Sequence, residues 1–200
     1  MLVVGLTGGI GCGKTLVSNL FHEKFAVPII DADLIAKELT ETRAVMDEIA
    51  TQLGADFIDN NNQLSRKKLR QAIFSNPDTR DKLENILHPL VYAKIEDELN
   101  ELDAPYCIVA IPLLLETQRT GFLDRILVVD CSIENQISRV MERDQCSEAH
   151  VKKIIATQIS RESRLQLADD IVENNKDIDS VKERVKDLHK KYNDLHKNHI

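Results

Sequence analysis

Tryptophan is absent from this 200-residue chain, and aromatic residues make up only 4% of it. Stacking platforms for the bases of single strands are therefore scarce. A basic surplus is lacking too: 33 acids against 26 lysines and arginines leave a net charge of −7 and a pI near 5.4. That balance argues against general nucleic-acid binding, whose footprint is basic, though local charge can still hold a phosphorylated substrate. No stretch reaches the roughly 18 apolar residues of a membrane span. The N-terminus runs straight into a strand-like segment without a basic leader, so the expectation is a cytoplasmic protein with no membrane partner. Cysteine is sparse and unpaired in pattern. Cys12, Cys107, Cys131 and Cys146 form no C-x-x-C, which points to reduced thiols and away from a zinc site or disulfide frame.

Glycine is scarce as well, with seven in all, yet five fall between residues 5 and 13. The run Gly8-Gly9-Ile10-Gly11-Cys12-Gly13-Lys14-Thr15 fits G-x-x-x-x-G-K-[ST], with Gly8, Gly13, Lys14 and Thr15 at the fixed positions. An apolar segment precedes it and a helical pattern over 16–25 follows. Such a loop turns backbone N–H groups onto phosphate oxygens, and the helix N-terminus adds a favourable dipole. Lys14 reaches the β- and γ-phosphates and the Thr15 hydroxyl holds Mg²⁺, the one cofactor implied. The reading is a nucleoside triphosphate site built from Gly9, Gly11, Cys12, Gly13, Lys14, Thr15 and Leu16. Cys12 sits at a helix N-terminus that lowers thiol pKa values, so modest reactivity, protected by nucleotide, is the expectation set against a small neutral filler.

Strand-like runs occur at 2–6, 27–30, 106–111, 125–129 and 170–172, several apolar throughout. Helical patterns separate them, which predicts an open α/β fold whose five-stranded parallel sheet is covered on both faces. Ligands then lie at the carboxyl ends of the strands. Roughly 75 residues between the second and third strands exceed what one crossover helix requires, and predict a helical insertion able to recognise a second substrate. Within it Val45, Ile49 and Leu53 share a face, Ser65 and Asp78 are candidate N-caps, Asn60-Asn61-Asn62 reads as a turn, and His88-Pro89 interrupts a helix. Residues 145–168 form a second block, with Ser147 as N-cap and Val151, Ile154, Ile155 and Ile159 as its apolar stripe. A last helix repeats Ile178, Val181, Val185, Leu188, Tyr192 and Leu195, a face suited to docking on the chain's own core.

A phosphate loop does not separate switch, motor and kinase, so the neighbouring residues decide. Asp31-Ala32-Asp33 follows the second strand; Asp33 is either a general base orienting an acceptor or the cap of a helix beginning at Leu34. Glu116 reads as a substrate or Mg²⁺-water ligand, or as a helix-start glutamate. Asp130 ends the fourth strand, as a metal contact or a turn residue. Arg139 and Arg143 share a helical face, forming a phosphate clamp or exposed pairs with Glu142 or Asp144; Arg161 and Arg164 end the second block. His88 contacts substrate or caps a helix.

With these residues the chain resembles the dephospho-coenzyme A kinase family over nearly its whole length. The shared signatures are the stretch 6–15, Asp31-Ala32-Asp33, Leu87-His88-Pro89, Pro112-Leu113-Leu114-Leu115-Glu116, Arg139 with Arg143-Asp144, Gln158 through Arg164, and Ala168-Asp169 followed by Asn174-Asn175. One departure is Cys12, where the family commonly has serine. The resemblance implies a P-loop kinase of three α/β/α layers in a single domain. Its parts are a core (about 1–33, 104–144 and 168–200), a coenzyme-binding helical insertion (about 34–103) and a lid (about 145–167). It implies transfer of the ATP γ-phosphoryl to the ribose 3′-hydroxyl of dephospho-coenzyme A by a monomer or weak homo-oligomer. Asp33, Lys14 and Arg139 would be catalytic, and Arg143 and Asn175 would join the ATP site. Thr7, Asp33, His88, Leu113, Glu116 and Arg161 would meet the acceptor. Alternatives from the residues alone are a nucleoside monophosphate kinase-like enzyme and a nucleotide switch binding a protein partner.

Overall fold

The computed structural model describes residues 1–59, 63–117, 120–175 and 177–198. The expected turn at Asn60-Asn61-Asn62 lies outside the described residues. Five strands alternate with helices: β1 (Leu2–Gly8), α1 (Lys14–Phe25), β2 (Ile29–Asp31), α2 (Ala32–Leu39), α3 (Arg43–Leu53), α4 (Arg66–Ser75), α5 (Pro77–Glu101), β3 (Tyr106–Ala110), α6 (Leu114–Thr117), β4 (Arg125–Asp130), α7 (Ile133–Asp144), α8 (Glu148–Thr157), α9 (Arg161–Gln166), β5 (Asp170–Glu173) and α10 (Ile178–Asn198). A short 3₁₀ turn covers Ala55–Phe57. No helix among the described residues is long and apolar enough to cross a membrane.

The sheet runs β2-β3-β1-β4-β5 and every pairing is parallel. Every residue of β1 and β3 is buried, as strands covered on both faces must be. Leu6 of β1 lies opposite Ala110 of β3 and Leu127 of β4, so the strand leading into the glycine loop sits at the centre of the sheet. The loop therefore emerges at the sheet's carboxyl edge between β3 and β4, where the strand order reverses. Val17, Leu20 and Phe21 of α1 join Val181, Val185, Leu188 and Tyr192 of α10 in the core beneath it. The apolar repeat of the last helix thus docks on its own core, with Ile178 exposed beyond it.

Two compact units emerge, one of Met1–Asp31 with Leu102–Ile200 and one of Ala32–Glu101. The second has its own core of Val45, Ile49, Leu69, Leu83 and Ile86, packed by Leu53 and Phe57 among others. Three local expectations are corrected within it. The helix after β2 begins at Ala32, so Asp33 stands in its first turn and is not its cap. Helix α5 begins at Pro77, and Asn76 Oδ1 accepts from the Asp78 N–H at 2.9 Å, so Asn76 takes the capping role expected of Asp78. His88-Pro89 does not interrupt α5, which carries Pro89 inside it. Ser65 does precede α4, though its side chain makes no cap bond. Ser147 accepts from His150 N–H at 3.3 Å and caps α8 as expected.

Candidate active site

Close approach dictates the glycines of the loop. Gly8 pairs with Val129 of β4, and a Cβ there would collide with the Val129 carbonyl. Gly13 has φ +96°, a left-handed conformation, and a Cβ would collide with the Asn174 amide. The Asn174 Nδ2 donates to the Cys12 carbonyl at 2.8 Å, and Cys12 N–H donates to the Gly9 carbonyl at 3.1 Å, so the loop is held from within and from β5's end. Lys14 lies at the start of α1 and donates from Nζ to the Gly8 carbonyl at 2.8 Å, folding its ammonium back across the loop. Thr15 is exposed in the first turn of the same helix, and Leu16 packs against the core.

The segment 158–164 lies against this loop. Gln158 Oε1 accepts from the Ile10 N–H at 3.0 Å, and Glu116 Oε1 accepts from the Ile159 N–H at 3.0 Å. Arg161 forks onto Asp130 at the end of β4, with Nε and Nη2 at 2.8 and 2.6 Å from its two oxygens. Asp130 is almost fully buried while the guanidinium is half-exposed; the hydrogen bonds, and then the charge of Asp130, hold the Arg161 pKa above its ordinary value. Arg164 is 5% exposed, donates to the Ile159 carbonyl at 2.9 Å, and stands beside Gly9, where a Cβ would come 3.0 Å from its Nη1. Arg139, on α7, donates to the Asn174 carbonyl at 2.9 Å and reaches the Gly11 carbonyl at 3.5 Å. One charged cluster is thereby assembled from five places in the sequence.

Other expected residues stand elsewhere. Arg143 is exposed and forked onto Asp144, both bonds 2.8 Å, so the two arginines of α7 do not act alike. Asn175 Oδ1 accepts from the Ser132 N–H at 2.7 Å and from Asn135 at 3.3 Å, at the start of α7. Thr7 is buried, its hydroxyl donating to the Pro112 carbonyl at 3.1 Å, whereas Leu113 next in line is exposed. In the 32–101 unit, His88 meets the Tyr92 ring edge to face at 6.3 Å. Cys12 turns its side chain into the core and is fully buried, as a small filler is, so a bound nucleotide has no exposed thiol there to protect. The residue that sequence reasoning passed over is Gln136, buried beside the loop, where a Cβ on Gly9 would come 3.0 Å from its Oε1; Gln158, Arg164 and Asn174 were named without the contacts they make here. The Asn174-Asn175 pair was visible, but a buried loop prop and a helix-start acceptor look alike in one-dimensional order.

The metal implied by the loop motif fits in one particular way. Among the described residues no group of three or more His, Cys, Asp or Glu could hold an ion. An exposed Thr15 hydroxyl beside a phosphate cradle suits Mg²⁺, which keeps several waters and binds largely through substrate phosphates.

A family model described as CoaE, dephospho-CoA kinase, matches residues 2–180. The dephospho-CoA kinase of Coxiella burnetii is 47% identical over 194 residues, covering 96% of this chain and 97% of its own. That of Vibrio parahaemolyticus is 42% identical over 192 residues, covering 96% and 94%. Among solved structures, the TT1252 protein of Thermus thermophilus is similar with a TM-score of 0.81 at 28% identity, covering 95% of this chain and 97% of its own. The dephospho-CoA kinase of Campylobacter jejuni gives 0.61 at 25%, covering 95% and 96%. A shikimate kinase of Acinetobacter baumannii, at 0.53 and 14% and covering 94% and 90%, shares the fold.

Proposed function

The chain belongs to the dephospho-CoA kinase family, and from that premise we propose how its own residues serve the family's reaction: transfer of the ATP γ-phosphoryl to the ribose 3′-hydroxyl of dephospho-coenzyme A, giving coenzyme A and ADP. It is a P-loop kinase and a transferase. The observation that carries the assignment of roles is the cluster around the glycine loop, where Lys14, Arg139 and Arg164 converge on one backbone turn and Arg161 is forked onto Asp130 at the end of β4.

The loop N–H groups and the N-terminus of α1 bind the donor phosphates, and Lys14 exchanges its Gly8 carbonyl for β- and γ-phosphate oxygens. Thr15 would hold Mg²⁺, which would supply charge neutralisation on the donor phosphates. Arg139, which donates to the Gly11 and Asn174 carbonyls, turns its fork onto the transferring group. Arg161, held by its fork on the buried Asp130, keeps a positive charge at the end of β4 for the acceptor side. Asp33, two residues past the end of β2, takes the proton of the acceptor hydroxyl. His88, Leu113 and Glu116 belong to the acceptor side, and Asn175 to the adenine side. Segment 158–164 excludes water that would otherwise hydrolyse ATP. The four free cysteines fit a reducing, cytoplasmic setting.

A coupled ADP-release assay tests the reading. Dephospho-coenzyme A should drive ADP release and gain one phosphate on its 3′-oxygen by mass spectrometry. Equal turnover with AMP, CMP or shikimate would refute it.

A further inference from the structure

Beneath the phosphate loop two buried thiols from distant parts of the chain meet. Cys131, the residue after β4, points its Sγ at the Cys12 Sγ at 3.0 Å, with both residues fully buried. The same Cys131 sulfur lies 3.9 Å from the Gly11 carbonyl. Cys131 follows Asp130, which holds Arg161, and precedes Ser132, which caps α7 by accepting from the Asn135 N–H. The pair therefore ties the floor of the cradle to the strand end that carries its charged cluster. We propose that Cys12 and Cys131 are an oxidative modification site: a hydroperoxide converts them to a disulfide that pulls the loop off its phosphate-binding geometry.

The chemistry closes on these two residues. Cys131 donates its S–H to Cys12, and that hydrogen bond, opposed by burial, holds the Cys12 thiol below its ordinary pKa, while the donor role and then burial push Cys131 well above. Cys12 is thus the nucleophile and Cys131 the resolving thiol. The Cys12 sulfur attacks one peroxide oxygen, the O–O bond breaks, and water leaves with the thiol proton, giving a sulfenic acid. Cys131 sulfur then attacks the Cys12 sulfur; an S–S bond forms, the S–O bond breaks, and the hydroxide departs as water with the second proton. Two electrons pass from the sulfurs to the peroxide, and two waters result. Hydrogen peroxide is barely larger than the water it becomes, which suits a site that bulky reagents do not reach.

The consequence follows from distance. A disulfide is about 2.05 Å long, so residue 12 and residue 131 must close by roughly 1 Å. Cys12 is fixed by its own N–H to Gly9 and by Asn174 on its carbonyl, so the loop moves with it. Displacement on that scale costs on the order of 100-fold in a positioned site. Cys107 stays out of this chemistry: it is buried in β3, where burial pushes its thiol up to about 12.

The full chain, treated with hydrogen peroxide and then catalase, is digested with trypsin without reductant and mapped by mass spectrometry. The expected product links peptide 1–14 to peptide 126–139 through Cys12 and Cys131. Binding of a fluorescent ATP analogue should weaken at least tenfold in the linked protein and recover with dithiothreitol. Binding is the better readout because dephospho-coenzyme A carries a thiol that would reduce the bond. Cys131→Ala and Cys131→Ser should each bind the analogue as before and lose the peroxide response. The proposal fails if Cys146, which is partly exposed, oxidises while no 12–131 link forms, or if the linked protein binds the analogue as tightly as the reduced one. The effect on binding rests on the proposed ATP site. Reduced protein that binds no ATP analogue would refute that site, while the linked peptide would still report the thiol chemistry.

Discussion

In the proposed reaction a single carboxylate, Asp33, takes the proton of the acceptor hydroxyl. Replacing it by asparagine keeps the shape and removes the base, so Asp33→Asn should lower kcat by about 100-fold or more while nucleotide affinity stays within about twofold. Unchanged turnover, with ATP binding followed in parallel, would take Asp33 out of that role. Single residues also show where one-dimensional reading ends. Gly13, Lys14 and Thr15 announce themselves because the phosphate loop dictates residue types at fixed spacing. Arg139 and Arg143 share spacing and charge, yet one grips the loop's backbone and the other pairs with its neighbour Asp144. Nothing local distinguishes them, because the difference is which face of α7 meets the loop. Gln158 on the Ile10 N–H and Cys131 on Cys12 are long-range meetings with no local signature.

Elements follow the apolar pattern closely. All five strands overlap the strand-like runs of the sequence, most plainly β1 and β3, because a parallel strand buried on both faces must be largely apolar. Helix α5 departs from expectation at Pro89, which removes one ladder bond at a cost of roughly 3 kcal/mol. Leu83 and Ile86 before it and Val91 and Ile95 after it are buried, and that burial outweighs the break. Helix α10 depends on a polar clasp as well as its apolar stripe. Asp170 of β5 takes Lys191 at 2.5 Å, Arg125 at 2.9 Å and the Tyr192 hydroxyl at 3.3 Å. Burial works against the Arg125 charge, but its bond to Asp170 prevails and holds the guanidinium above its ordinary pKa. Asp170→Ala should therefore cost about 3 kcal/mol in urea unfolding, since it strands two cations and a buried phenol. On the same helix His189 stacks on Phe25 at 4.1 Å and bonds the Tyr106 hydroxyl at 2.7 Å. Burial lowers its pKa, so on acidification the unfolded chain takes up a proton that the folded chain resists. Stability from this site holds above about pH 6.5 and falls below it. His189→Gln should flatten the dependence of the urea midpoint between about pH 7.5 and 5.5.

Among the described residues one apolar core lies under the sheet and another within residues 32–101. Ile49, fully buried in the second, offers a test of their independence. Ile49→Ala should cost about 3 kcal/mol. Hydrogen exchange should speed first in α3, α4 and the first turns of α5, ahead of β1 and β3. The insertion's length made a helical segment between β2 and β3 legible in sequence, whereas the start of α5 depended on the Asn76 cap, a contact that only geometry reveals. The sheet itself has one more consequence. Its outer strands are short and acidic: β2 has three residues ending in Asp31, and β5 has four between Asp170 and Glu173. On β5 the Ile171 carbonyl is already taken by Arg184 Nε at 2.9 Å. A foreign strand seeking to lengthen the sheet would meet few rungs and an exposed carboxylate on each margin, Asp31 on β2 and Glu173 on β5, so both margins resist the edge-to-edge stacking that starts aggregation.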